Sequence, residues 1–572
     1  MRTEPVLVAA CSLALGIGTA LAAFGAQGDE PGLTIIVRDE VLHDIDSRIF
    51  GQFMERASWG EPGYDAARDP DAPRRLRAEV VGKMRRMNIP VIRWPAGADL
   101  IRIDWMDMID NAPGRDGDRP LFPGRKGNPD LTNEFGLDEF LGLCEELESE
   151  PLLPVRFHSA VMSKDNTEQW ARKAAGLVAY CNAEVGADLP EGMPDWPAIR
   201  KQNGREKPWG VRYFQIGNET WHYFNHALKK HGMEGATIKE KADLYLKNLR
   251  AFLLAMHEVD PTIEIVVDGV TGGGRWVDQS ILGDPVVQEH AAYFSVHLYQ
   301  PWGIRQIEKD GEKVAPKELS PEEVWYNWVA VPEMSPETGQ SLLPGWPDWW
   351  LVRELDLPIA CTEWNWNGWW NLGKKGGKPP LRSDWAKGIG AAGMLHAFMR
   401  SGNDVRIACQ SMLVGESWGI TAIRVNDEQA AEPYFMPTGR VTGFYSRHHG
   451  NQRLHTDLLR MPTIAQPLRI NSIAPAPRVA AVDVVATQDP ETVYLHLINR
   501  HISDAIPVQI ELGDLGYEGK PFTRRCLTGN VKGTKTELSQ ETVAPEEATS
   551  SVTLDLPPRS VSILEFSRRR DE

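Results

Sequence analysis

The sequence has no C-x-x-C pair and no H-E-x-x-H, which excludes a zinc ribbon, a thioredoxin-type redox site and a zincin helix. Cysteine is scarce, six in 572 residues, and Cys11 falls inside an apolar leader. The other five, Cys144, Cys181, Cys361, Cys409 and Cys526, are odd in number and scattered, so there is no disulfide framework. Cys361 and Cys409 lie in apolar strand-like runs, where packing is their role. Positive charge is in deficit, 62 Lys and Arg against 79 Asp and Glu, for a net charge of -17. A nucleic-acid backbone would be repelled at long range, whereas a neutral ligand would not. His448-His449 has no evident third ligand and reads as a loop pair, so neither a metal site nor a cofactor is expected. Beyond the leader there is no membrane-length apolar run, and there is no internal repeat or low-complexity tract.

The leader itself is informative. Residues 6–23 are apolar or small throughout, Arg2 precedes them, and Ala20-Leu21-Ala22 offers an A-x-A cleavage site. The reading is an export signal over residues 1–26, giving a periplasmic or extracellular protein with no stable membrane insertion after cleavage. An uncleaved anchor is the alternative, because 18 such residues can just span a bilayer. The small residues at the exit favour cleavage. Val8-Ala9-Ala10-Cys11 resembles a lipobox, but most of the apolar run follows it.

From residue 49 to about 450, short apolar runs alternate with amphipathic stretches. Strands are expected at 49–53, 91–94, 153–157, 213–216, 263–268, 294–298, 359–362 and 405–413. Eight such runs with helical spacers over this length predict a (β/α)8 barrel of the α/β class. One helix is plain after Gly136, where Leu137, Phe140, Leu141 and Cys144 recur at helical spacing. Another, looser stripe runs through Leu244, Leu246, Leu249 and Phe252. After residue 450 the texture becomes β-rich, with runs at 479–485, 493–499, 508–512 and 561–566, which predicts a C-terminal all-β sandwich over 451–572. Residues 27–48 contain a strand-like segment, 33–37, that could join that sheet.

Barrel active sites gather at the C-terminal ends of the strands. Glu219 follows the fourth expected strand and Glu363 ends the seventh. Cleaving a glycosidic bond with retention needs two carboxyl groups about 5–5.5 Å apart, one giving a proton to the leaving oxygen and one attacking the anomeric carbon. Strands four and seven face each other across a barrel, so these two glutamates can meet. Two nearby carboxyls cannot both ionise cheaply, which separates an acid from a nucleophile. A single glutamate after a strand is ordinarily a solvated loop residue; two, each inside a distinctive motif, point to catalysis.

The motifs also carry a family resemblance. Gly217-Asn218-Glu219 and Thr362-Glu363-Trp364 resemble the acid/base and nucleophile motifs of clan A glycoside hydrolases. Phe50-Gly51-Gln52-Phe53-Met54-Glu55, Arg93-Trp94-Pro95-Ala96-Gly97, Thr132-Asn133-Glu134-Phe135-Gly136, Val296-His297-Leu298-Tyr299 and Leu495-His496-Leu497-Ile498-Asn499-Arg500 narrow it to family 51, best known for α-L-arabinofuranosidases. The resemblance implies Glu219 as acid/base and Glu363 as nucleophile. It implies Asn218 on the sugar 2-hydroxyl, Glu55 on another hydroxyl, Arg93 orienting Glu363, and His297 and Tyr299 lining the site. It also suggests a homo-oligomer.

Eleven of the 20 tryptophans lie between Trp302 and Trp385, and Trp364 follows the expected nucleophile directly. Aromatic faces bind sugar C–H surfaces, so Trp364 is a candidate substrate contact, although such residues also pack long loops. The sequence departs from the family pattern at two places. Ala98 stands where Asn or Cys is usual, and Met412 where a sugar-binding Gln is usual; Gln410, two residues earlier on the strand, is the expected substitute. A remodelled subsite with weak activity on a simple aryl arabinofuranoside is therefore expected. The leading reading is a retaining non-reducing-end α-L-arabinofuranosidase acting on a carbohydrate. A related retaining glycosidase of other sugar specificity, or a non-catalytic carbohydrate-binding protein, are the alternatives.

Overall fold

The computed structural model describes residues 32–568 except 59–60, 125–128, 158–165, 221–234, 269–274, 301–303, 305, 331–351, 353, 367–380, 382, 429, 431, 471–473 and 546–548. The leader, its cleavage site and the lipobox-like segment lie outside the described residues, as do Trp302, Trp346, Trp349, Trp350, Trp369 and Trp370. Among the described residues no helix is long and apolar enough to cross a membrane.

After an initial strand β1 (Leu33–Asp44), eight parallel strands close a barrel in chain order. They are β2 (Gly51–Phe53), β3 (Val91–Arg93), β4 (Glu150–Val155), β5 (Tyr213–Ile216), β6 (Glu264–Asp268), β7 (Ala291–Gln300), β8 (Ile359–Trp366) and β9 (Val405–Ser411). Each lies on a segment expected from its apolar run. The ends differ: residues 49–50, expected as strand, belong to a 3-10 turn (Ser47–Phe50), and β8 runs on to Trp366. Strand side chains alternate between the barrel interior and the surrounding helices. Phe53, Val91, Leu152, Tyr213, Val266, Tyr293, Ala360, Ile407 and Cys409 fill the interior as one apolar cluster. Two residues further up, the same parity brings in Arg93, Gln215, Asp268, Ser295 and Thr362, all buried. The barrel thus has an apolar plug beneath a polar floor.

The outward face packs on helices that the sequence periodicity makes amphipathic. Helix α1 (Ala78–Met87) buries Val80, Val81, Met84 and Met87. Helix α2 (Leu137–Leu147) buries the expected stripe, and its Phe140 stacks on Trp94 at 4.7 Å and 11°. Helix α3 (Ile238–Val259) starts at a capping box: Thr237 Oγ1 accepts from the Glu240 amide at 3.2 Å, and the Glu240 carboxylate accepts from the Thr237 amide at 2.7 Å.

Beyond the barrel the chain is β-rich. Strands β10 (Gln452–Leu459), β11 (Val482–Gln488), β12 (Thr492–Asn499), β13 (Ile506–Glu511), β14 (Phe522–Gly529), β15 (Thr536–Val543), β16 (Ser551–Leu556) and β17 (Ser560–Ser567) join β1 in one nine-stranded sheet. Its order is β15-β14-β17-β12-β11-β10-β1-β13-β16. Strand β1 pairs antiparallel with β10 and parallel with β13. Strands β10 and β14–β16 had no clear sequence signal. The reason is plain for β15, an edge strand reading Thr-Glu-Leu-Ser-Gln-Glu-Thr-Val and mostly exposed, which has no apolar alternation to detect.

Helix α4 (Asp384–Ser401), which follows β8, clamps the barrel to this sheet. Asp483 on β11 is buried and accepts from Arg500 at 2.8 Å; its other oxygen pairs with Arg400 of α4 and lies 3.2 Å from Nδ1 of His396. Tryptophans reinforce the joint. Trp385 donates to the carbonyl of Arg559 at 2.7 Å, and a Cβ on Gly529 would fall 2.3 Å from its ring. Trp325 donates to the carbonyl of Arg500 at 2.8 Å. Removing one partner of a buried ion pair strands the other charge and costs about 3–5 kcal/mol. Asp483→Ala should therefore lower the thermal unfolding midpoint by several degrees. An unchanged midpoint would mean that Arg400 and Arg500 find other partners.

Candidate active site

Strand β5 ends at Ile216, and the next three residues turn sharply. Gly217 has φ +84°, and Glu219 has φ +48°, a left-handed conformation uncommon for a side-chain-bearing residue. A Cβ at Gly217 would also meet the Thr220 methyl at 2.7 Å, so glycine is required there on two counts. The turn is pinned from behind: Asp268 Oδ2, at the end of β6, accepts from the Thr220 amide at 2.9 Å, and the Thr220 hydroxyl lies 2.9 Å from that of Tyr245. These contacts hold Glu219 at the barrel mouth against its backbone preference.

Glu363 reaches the mouth by a different device. In the pairing of β8 with β7, Cys361 opposes Val296 and Glu363 opposes His297, so two residues of β8 stand against one of β7. The pairing of β8 with β9 shifts at the same place. This bulge breaks the alternation. Thr362 faces the interior, as its parity requires, and Glu363 faces it too.

Hydrogen bonds then fix the carboxylates. Arg93, fully buried, donates from Nη1 to Glu363 Oε1 at 2.8 Å, from Nε to Gln215 Oε1 at 2.8 Å and from Nη2 to Asn218 Oδ1 at 2.5 Å. Tyr299 donates to Glu363 Oε2 at 2.8 Å. His297 Nδ1 lies 3.0 Å from Glu219 Oε1 and 3.5 Å from Glu363 Oε2. One oxygen of Glu219, one of Glu363 and a ring nitrogen of His297 are all within 4.8 Å of one another. Cation ligands come as close, but here His297 Nδ1 stands between the two carboxylates, and Tyr299 and Arg93 donate to Glu363. Oxygens this close favour the short spacing of a retaining pair, about 5–5.5 Å between carboxyl groups, over the about 6.5–9.5 Å of an inverting one.

The surroundings shift the neighbouring groups. Glu55 Oε1 accepts from the Gly97 amide at 3.2 Å. Burial, reinforced by the charge of Glu363, pushes the Glu55 carboxyl up to about 8, so near neutral pH it can donate a hydrogen bond as an acid. Burial opposes the charged form of His297, but Glu363 and the hydrogen bond to Glu219 outweigh it and raise its pKa. Burial and Glu363 hold the Tyr299 phenol far above its usual range, so it stays a donor.

Seven of the nine expected residues, Glu55, Arg93, Asn218, Glu219, His297, Tyr299 and Glu363, thus converge. Two do not. Trp364 is fully buried on the outer face of β8, edge-on to Phe398 of α4 at 5.3 Å, because the bulge that turns Glu363 inward turns its neighbour outward. Trp366 faces the same way, against Gly390. Gln410 also points out of the barrel. It accepts from Thr442 of α5 (Pro437–Arg447) at 2.9 Å and from Gln52 at 3.3 Å, so it cannot replace a sugar-binding glutamine. The inward residue at the end of β9 is Ser411, which hydrogen-bonds with Tyr299. Sequence reading also missed Gln215, Asp268, Ser295, Thr362 and Gly97. A detectable signal existed for Gln215 and Ser295: Gln215 interrupts a short apolar strand, and Ser295 breaks the apolar run before His297 and is in phase with it.

Comparison with known proteins agrees with this geometry. Residues 83–302 match the family model described as an alpha-L-arabinofuranosidase 1 domain. The chain is 25% identical over 406 residues to alpha-L-arabinofuranosidase C of Emericella nidulans, covering 67% of this chain and 69% of that one. It is 23% identical over 536 residues to the intracellular exo-alpha-(1->5)-L-arabinofuranosidase 1 of Bacillus subtilis, covering 91% and 94%. The solved structure of the thermostable family 51 alpha-L-arabinofuranosidase of Thermotoga petrophila superposes with a TM-score of 0.67 at 21% identity, covering 93% of this chain and all of that one.

Gly97 backs the site closely. A Cβ there would lie 2.7 Å from Glu363 Oε1 and 3.4 Å from Glu55 Oε1. Displacing a reacting group by an ångström costs on the order of a hundredfold in rate. Gly97→Ala should lower kcat by roughly that factor and leave the unfolding midpoint in place. Wild-type kcat in this variant would show that Glu363 does not need the space.

Proposed function

We infer that this chain, a glycoside hydrolase of the α-L-arabinofuranosidase-like family 51, is a retaining enzyme that releases α-L-arabinofuranosyl units from the non-reducing ends of arabinose-containing oligosaccharides or polysaccharides. The observation that carries the reading is the pair of carboxylates at the ends of β5 and β8, with oxygens within 4.8 Å of each other. The names of the relatives supply the sugar.

Glu363 is the nucleophile in this reading, held by Arg93 and Tyr299 on its two oxygens. It attacks the anomeric carbon as Glu219 protonates the departing oxygen, giving a glycosyl ester on Glu363. Glu219, now a carboxylate, takes a proton from water, and the resulting nucleophile frees the sugar with its original configuration. In this reading Asn218 and the neutral Glu55 carboxyl bind hydroxyls of the cleaved sugar, which the Arg93 bond to Asn218 and the raised pKa of Glu55 support.

Glu363→Ala should abolish turnover. Glu219→Ala should cripple substrates with poor leaving groups and spare activated aryl glycosides, since only the former need a proton donor. Equal losses on both substrate types would remove Glu219 from the acid role, and an inverted first product by NMR would overturn the mechanism. The same aryl glycoside panel, with Met412→Gln and Ala98→Asn beside the wild type, tests the subsite. We propose that it is weakened where Met412 stands in place of a glutamine and Ala98 in place of an asparagine; a gain in kcat/KM on arabinofuranoside in either variant supports this, and an efficient wild type with no gain refutes it.

The leader is read as a cleaved export signal, although the Bacillus subtilis relative is named intracellular. N-terminal sequencing of the secreted protein should begin between Ala23 and Gln27; an intact Met1, or lipid on Cys11, would refute export by cleavage. A homo-oligomer, implied by the family resemblance, is to be read by light scattering.

A further inference from the structure

The bulge in β8 does more than deliver Glu363. It leaves Thr362 inside the barrel as well, with its Oγ1 3.1 Å from Nε2 of His297 and 2.5 Å from Oγ of Ser295. Ser295 and Thr362 are both fully buried, beneath the pair of glutamates. The other ring nitrogen, Nδ1, faces Glu219 at 3.0 Å. A chain of contacts therefore runs Ser295, Thr362, His297, Glu219, from β7 to β8, back to β7 and on to the residue just past β5.

We propose that Thr362 and Ser295 are positioning residues for the acid/base step, acting through His297 to keep a proton on its Nδ1 and so commit Oε1 of Glu219 to accepting a hydrogen bond. The inference rests on the retaining reading above. Its physical basis is that a hydroxyl both donates and accepts. When His297 is charged, Nε2–H donates to Thr362, whose hydroxyl donates to Ser295. When His297 is neutral, the Thr362 hydroxyl turns to donate to Nε2, and Ser295 donates to Thr362. Nε2 is satisfied in both states, so no rearrangement of the ring is needed as charge moves in the cycle. Nδ1–H then points at Glu219 Oε1 throughout, and the transferable proton resides on Oε2. On glycosylation that O–H bond breaks, the proton passes to the leaving oxygen with the electron pair of the severed C–O bond, and Glu363 forms the new bond to carbon. The carboxylate left on Glu219 still receives the hydrogen bond from His297.

The charges facing His297 are consistent with this role. Glu219 approaches from the end of β5, Glu363 from β8, Arg93 from β3 and Asp268 from the end of β6. The carboxylates favour the imidazolium and Arg93 opposes it. A ring in such a field needs a fixed partner on its far nitrogen to hold one orientation.

Thr362→Val keeps the shape and removes the hydroxyl, whereas Thr362→Ser keeps the hydroxyl. Thr362→Val should lower kcat/KM about 10- to 100-fold on a 1,5-linked arabino-oligosaccharide, a poor leaving group, and at least about tenfold less on an activated aryl arabinofuranoside. The hydroxyl serves both forms, but the charged ring loses the stronger, charge-assisted bond, so the protonated form is destabilised more and the alkaline limb of the kcat/KM profile should move to lower pH. Thr362→Ser should restore both properties. Ser295→Ala should shift both in the same direction by less, and carries the test if the valine variant does not fold. Equal losses on the two substrates, an unmoved alkaline limb, or no rescue by serine would overturn the proposal. Nitrogen-15 NMR of the histidine rings gives a readout independent of turnover. The His297 titration, assigned by its absence in His297→Gln, should fall in Thr362→Val, and an unchanged titration overturns the inference. If the wild type shows no retaining hydrolysis, the functional reading fails, and this titration alone decides whether the hydroxyl pair governs His297.

Discussion

A guanidinium buried at the mouth of the barrel must have every N–H group partnered, and much of the site is arranged around that demand. Arg93 has no exposure to water, and each of its three nitrogens donates to a different residue: Gln215, Asn218 and Glu363. An unpaired charge in that position would cost several kcal/mol. The arginine on β3 therefore ties the end of β5 to the end of β8 across the opening. The two segments that carry the glutamates could not drift apart without stranding it. Asn218, adjacent to Glu219, is fixed by the same bond.

Around this anchor, two local departures from regular backbone set the chemistry. The left-handed residue at Glu219 and the bulge at Thr362 and Glu363 each spend some backbone regularity to aim a side chain. Asp268 and the Thr220–Tyr245 pair hold the first, and pairing to strands on both sides holds the second. The bulge also explains why the tryptophan-rich segment is largely structural where it is described. Once Glu363 is turned inward, Trp364 and Trp366 must face outward, where they pack on α4 against Phe398 and Gly390.

The same helix carries the barrel's attachment to the nine-stranded sheet. Arg400 and His396 of α4 meet Asp483 of β11, and Trp385 lies against Gly529 of β14. Helix α4 thus packs Gly390 under the β8 strand that bears Glu363 and grips the sheet with its other residues. The sheet in turn takes in β1, the first described strand, so both ends of the described chain are secured in one element.

The barrel and most of the site were legible in the sequence because they rest on local patterns. Apolar runs of strand length, alternating with helical stripes, specify β/α units, and eight of them leave few alternatives to closure. Glu219, Glu363, Arg93, His297 and Tyr299 each sit at a strand end or inside a short motif. What could not be read is what depends on strand registry and on contacts across long separations. A one-residue bulge reverses the side on which Trp364 falls, and no local pattern announces it. Gln410 and Met412 share a parity on paper, yet the inward position belongs to Ser411, because parity relative to the barrel is set by pairing with β2 and β8 and not by the strand alone. The edge strand β15 was invisible because exposed polar residues satisfy its outer face with water. The sequence by itself determined which segments become strands and which residues carry chemistry. Only the tertiary structure decided which way each side chain points, since that is fixed by hydrogen-bond registry between strands far apart in the chain.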